Sequence, residues 1–136
     1  MTLEELQPEW ERIIDTGFSN YKKLTNAERV WFNVAPLITD GIANHYINYG
    51  AENNIDTIAD LETLNFIKAA DLLLKMNALF PNGKPSPDID ERAEQMENWD
   101  EKHDDVLENI DTEFWKMSDA LEKRLALYIN QNNIGK

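Results

Sequence analysis

Carboxylates are the reactive groups this chain has in quantity. Between Asp88 and Glu113 stand 12 acids and two bases, Arg92 and Lys102, a local charge of −10 within a total of −13. Asp90, Glu94, Glu97, Glu101, Asp104, Glu108 and Asp111 recur there at alternating steps of four and three. On an α-helix those steps hold the carboxylates on one face, each roughly 5 Å from the next, where like charges repel. Two uses fit such a row. It is the solvated face of amphipathic helices, or it is a surface that imitates a nucleic-acid backbone and binds a cationic partner. At about 1.5 Å of rise per residue the row spans about 31 Å. A DNA strand places a phosphate about every 3.4 Å, so the row alone is sparser, and Asp88, Glu91, Asp100, Asp105 and Glu113 would have to fill the pattern.

Other chemistry has few candidates. Asp100, His103 and Asp104 stand at i, i+3, i+4 and could face one metal ion, although three ligands among many carboxylates describe an exposed histidine among acids equally well. Asp40 and His45 could form an acid–base pair, against the simpler reading of His45 as a hydrogen-bonded structural residue. There is no cysteine, no Gly-x-Ser-x-Gly elbow and no glycine-rich phosphate loop; the five glycines are isolated. The expectation is a protein without catalytic residues, metal or cofactor.

The elements that position these groups read as helices throughout. Thr2-x-x-Glu5 and Thr25-x-x-Glu28 are capping-box patterns, and Pro8 suits a first helical turn. Trp10, Ile13, Ile14, Gly17, Phe18 and Tyr21 follow the helical period, as do Val30, Trp31, Val34, Leu37 and Ile38, with Pro36 as a kink or restart. Asp40-Gly41 signals a turn, and Asp56 is placed to cap a helix carrying Ile58, Leu61 and Leu64. A further helix follows with Phe66, Ile67, Ala70, Leu73 and Leu74, and residues 80–87, rich in Pro and Gly, break the chain. Met96, Trp99, Val106, Leu107, Ile110, Phe114, Met117, Leu121, Leu125 and Tyr128 form an apolar stripe on a face other than the acids. An unbroken helix of that length is improbable, so a break is expected within 100–105, with Asp104 as its cap. No stretch alternates as a strand does. The expected fold is all-α, one domain over 1–136 of about six to eight helices, with Trp31, Leu73, Ile110 and Leu121 buried. The Trp residues fit core stripes, with any exposed one a candidate interface anchor.

A chain of 136 residues with 42% hydrophobic content supports one real core. The acidic start lacks a signal peptide's basic region and no apolar run is long enough for a bilayer, so a cytoplasmic protein is expected. The net charge disfavours nucleic acid and anionic membrane, and favours basic proteins.

Glu28 to Val34, Gly41 to Gly50, Leu79-Phe80-Pro81-Asn82-Gly83-Lys84-Pro85, Asp90-Glu91-Arg92 and Asp111-x-x-Phe114-Trp115 occur in an order that resembles a small bacterial all-helical family containing a characterised DNA mimic. Gly41, Tyr46 and Asn48 match that family's turn-and-aromatic motif; Thr39, Asp40, Ile42, Asn44 and His45 depart from it. The resemblance implies a helical bundle in which, for the characterised member, a dimer presents carboxylates to a DNA-binding regulator in place of phosphates. Together with the acidic row, it makes the leading expectation a non-enzymatic DNA mimic. Asp90, Glu94, Glu97, Glu101, Asp104, Glu108 and Asp111 would then contact a basic DNA-binding partner, with a homodimer open. The alternatives are an immunity-type inhibitor of a basic toxin, and a hydrolase or metal-binding enzyme.

Overall fold

The computed structural model describes residues 3–47, 49–132 and 134, and over them the chain is helical without a strand. Seven α-helices follow in order: α1 (Gln7–Asn20), α2 (Asn26–Ile47), α3 (Asn54–Thr63), α4 (Ile67–Asn77), α5 (Ile89–Glu97), α6 (Glu101–Trp115) and α7 (Ser118–Gln131). Short 3-10 turns at Tyr21–Lys23, Tyr49–Asn53 and Pro81–Gly83 link them. The Thr2-x-x-Glu5 pattern falls partly outside the described residues, as does Asn48.

The central element is α2, which touches α1, α3, α5, α6 and α7. Its residues Val30, Trp31, Phe32, Asn33 and Val34 are buried in succession, the pattern of a helix surrounded on all sides. The capping box at its start forms in both directions. Glu28 N–H donates to Thr25 Oγ1 (3.2 Å) and Thr25 N–H to Glu28 Oε1 (3.0 Å). Trp31, Leu73, Ile110 and Leu121 all lie in the core.

Pro36 sits inside α2, but the backbone breaks at Gly41, with φ 85° and ψ 174°. Only glycine occupies that region without strain. A Cβ there would also lie 2.7 Å from Trp115 Cζ2. The segment after Gly41 therefore begins as a new helix with exposed N–H groups, and α6 supplies their acceptor, as described below.

Polar pairs tie the helices where apolar contact ends. Buried Asp60 of α3 receives Arg29 Nη2 (2.6 Å) and Asn33 Nδ2 (2.9 Å), both from α2. Asn77 Nδ2 donates to Asn54 Oδ1 (2.7 Å), and Asn54 Nδ2 to Tyr46 Oη (3.1 Å), joining α4, α3 and α2. α3 ends in a Schellman turn. Asn65 takes the left-handed conformation (φ 63°), Phe66 N–H donates to Leu61 O (2.9 Å) and Asn65 N–H to Glu62 O (2.9 Å).

Three expected boundaries differ. The cap of α3 is not Asp56: that helix starts at Asn54, and Asp56 accepts from Tyr21 Oη–H (2.8 Å). The break before α6 falls at residues 98–100 and is capped by Asp100, not Asp104, because the Trp99 ring docks edge-on against Phe80 (5.0 Å). The stripe from Val106 to Tyr128 is also cut at Lys116–Met117, so that α7 can fold back along α2.

Candidate protein-binding surface

Arg92 anchors α5 to the core, beside the packing of Met96. Arg92 is fully buried, at 0% exposure. Its Nε donates to Tyr46 O (2.6 Å), in the last turn of α2, and its Nη1 to Ser86 O (2.7 Å). A cation on the carbonyls of a helix C-terminus is well placed against the helix dipole. Burial lowers its pKa, opposed by Glu52 and Asp88. At about 100° per residue, Asp90, Glu94 and Glu97 lie about 140–200° around the helix from Arg92. Turning Arg92 inward therefore turns these three carboxylates outward, and all three are exposed.

On α6 the inward face is Ile110 and Phe114, both buried. Glu101, Asp104 and Glu108 lie away from it and are exposed. Asp111 lies nearer, about 80° from that face, and is half-buried. Its Oδ1 accepts from Ile42 N–H (2.8 Å) and Ala43 N–H (3.2 Å). It thus caps the helix segment that restarts after Gly41, a structural role for an acid that the spacing had placed in the row.

The break at 98–100 divides the row and changes its energetics. Asp88 caps α5 through Oδ1, which accepts from Asp90 N–H (2.9 Å) and Glu91 N–H (3.1 Å). Asp100 Oδ1 accepts from His103 N–H (3.0 Å) and lies 2.7 Å from His103 Nδ1. The His103 side chain lowers the Asp100 pKa, and its backbone N–H adds to the effect. Asp90, Glu91, Glu101 and Asp104 occupy first turns, where the helix dipole favours anions. Glu94, Glu97 and Glu108 have no such rationale. Glu97 is the last residue of α5, a helix without a base in its last turn, where an anion is disfavoured. Among the described residues none of the carboxylates of Asp90, Glu94, Glu97, Glu101, Asp104 or Glu108 makes an ion pair or a side-chain hydrogen bond. Glu113 does, with Lys116 Nζ at 2.9 Å.

The other candidates are not assembled into sites. His45 is buried, and its Nε2 has no hydrogen-bond partner among the described residues. Burial, with the charge of Arg92 adding, pushes its pKa down to about 3. Asp40 is exposed and does not bond to it. The carboxylate of Asp100 is engaged as a cap, and no group of three His, Asp or Glu among the described residues is placed to hold a metal. Of the four tryptophans, Trp31 is buried, Trp10 and Trp99 are half-buried, and Trp115 is 47% exposed beside Gly41. Among the described residues no helix is long and apolar enough to cross a membrane.

Sequence reasoning missed the anchoring role of Arg92. A lone base among acids at the inward position of α5 was the available signal. The motif Gly41…Asp111-x-x-Phe114-Trp115 acquires a physical meaning, since a glycine break, its carboxylate cap and the indole packed on it form one contact. No curated protein and no solved structure matches the chain significantly. The family model described as DMP19-like protein matches residues 22–132, from the turn before α2 through α7, and the chain belongs to that family.

Proposed function

We propose that the exposed carboxylates of α5 and α6 occupy the nucleic-acid-binding site of a basic DNA-binding protein, in the manner of a DNA mimic. The observation that carries this reading is the set of acids without intramolecular partners, above all Glu94, Glu97 and Glu108. Glu94 and Glu97 repel each other, Glu108 repels Asp104 and Asp111, and none of the three gains from a helix dipole, so helix electrostatics give no reason for them. Membership of the DMP19-like family supports it. That family is not one of enzymes, in keeping with a binding role.

The test is competition. A cognate DNA-binding protein from the native host, captured on the immobilised chain, should release labelled DNA when the free chain is added. Its affinity should fall steeply with salt, because exposed ion pairs are screened over about 8 Å at physiological ionic strength. The slope should be shallower than for DNA, since a folded protein lacks DNA's condensed counterions. Glu94→Lys, Glu97→Lys and Glu108→Lys together should abolish capture with the helical circular-dichroism spectrum unchanged. Capture of a basic protein that does not bind DNA would instead favour inhibition of a basic toxin. Undiminished capture by the triple variant would reduce the row to a solvated face.

A further inference from the structure

Between α1 and α2 lies a groove of about 390 Å³, within the size range of small-molecule sites. Trp10, Phe18, Tyr21 and Phe32 line it, with the acidic residues Asp40 and Glu52. None of its lining residues is basic. The aromatic walls are held in place by one another: Trp10 stacks on Trp31 (5.4 Å), and Phe32 takes Phe18 edge-on (5.3 Å) and Tyr21 at a tilt (5.9 Å). Tyr21 is further fixed by hydrogen bonds to Asp56 (2.8 Å) and from Asn33 (2.9 Å). Phe18 is 67% exposed, so its ring is open to a ligand from solvent. The Asp40 carboxylate makes no hydrogen bond or ion pair among the described residues.

We propose that this groove binds a small organic cation whose charge carries an alkyl shell, such as a quaternary ammonium. Aromatic faces are negative at their centres and attract cations, most strongly when the cation is easily dehydrated. Carboxylates alone would hold any cation weakly in water, whereas aromatic walls select the poorly hydrated ones. A neutral ligand of equal shape would gain the apolar contacts but nothing from Asp40, Glu52 or the ring faces. The groove shares no lining residue with the α5–α6 carboxylates, and the proposal does not depend on the mimic reading.

The test titrates the full chain with choline and with its neutral isostere 3,3-dimethylbutan-1-ol, following tryptophan fluorescence and heat. Choline should bind saturably and at least about tenfold more tightly than the alcohol. Asp40→Asn and Phe18→Ala, both at exposed positions, should each weaken choline by at least about threefold without altering the circular dichroism. Gly17→Ala should weaken binding, because its Cβ would lie 2.2 Å from Phe32 Cε1 and the Phe32 ring, part of the groove wall, would have to shift. The triple Lys variant at Glu94, Glu97 and Glu108 should leave choline affinity within about twofold in about 0.15 M salt, since none of the three lines the groove and exposed charges are screened over about 8 Å. Absence of saturable binding, equal binding of the alcohol, or indifference to both Asp40→Asn and Phe18→Ala would overturn the proposal.

Discussion

His45 is neutral in the folded protein because burial disfavours its charged form, and the nearby Arg92 adds to that. Its folded pKa of about 3 lies below the usual value, near 6.5 for an unfolded histidine. The unfolded chain therefore takes up the proton first. The stability tied to neutral His45 is complete above about pH 6.5 and is lost as pH falls toward 3, by at most about 1.4 kcal/mol per unit. Glu28, Asp100 and Glu113 have lowered carboxylate pKa values, so their contribution disappears only below the ordinary carboxylate range, about pH 4.5. Denaturant titrations at pH 6 and 5 should show the His45 slope in the wild type and lose it in His45→Gln. Asp111 makes a second prediction. Asp111→Ala removes the acceptor for Ile42 and Ala43 N–H and should cost about 1–2 kcal/mol. Asp111→Asn keeps an oxygen in place and should cost less, with partner binding unchanged. A loss of partner binding in the asparagine variant would return Asp111 to the contact surface.

At the scale of elements, α5 is a nine-residue helix, too short to persist alone. Arg92 attaches it, with a fork that reaches Tyr46 O in α2 and Ser86 O in the loop before α5. Arg92→Met should leave both carbonyls without that donor and raise amide hydrogen exchange over residues 89–97, while α6 stays protected by its own packing. Arg92→Lys should rescue little, since one ammonium cannot reproduce a planar fork. Unchanged exchange in α5 of the methionine variant would mean that apolar contacts of Ile89, Ala93 and Met96 hold the helix by themselves.

The whole molecule carries −13 charges on 136 residues, and self-repulsion works against its compact state. On the proposed reading, partner binding and stability therefore make opposite demands on Glu94, Glu97 and Glu108. The triple Lys variant should melt a few degrees above the wild type at low ionic strength, since each like-charge neighbour replaced by an opposite one returns about 0.2–0.5 kcal/mol. The difference should shrink in about 1 M salt, where the Debye length is about 3 Å. A lower melting temperature would show that these acids support the fold, which would weaken the case for a surface maintained for a partner.

The all-helical class, the core positions Trp31, Leu73, Ile110 and Leu121, and the capping box at Thr25 were legible in the sequence, because periodicity and capping are local properties of a few turns. Local spacing also read the acids of 90–111 as one row, and there it stopped being sufficient. Asp111 meets Ile42 across 69 residues, and Arg92 meets Tyr46 across 46. Such partners are brought together only when α5 and α6 pack on α2. That packing decided which acid became a cap and which six were left facing water without an ion pair or a side-chain hydrogen bond. Likewise the period of α1 placed Phe18 with the core stripe, yet it stands open beside Phe32. Whether a side chain is covered depends on what its neighbours fill, and no local pattern contains that information.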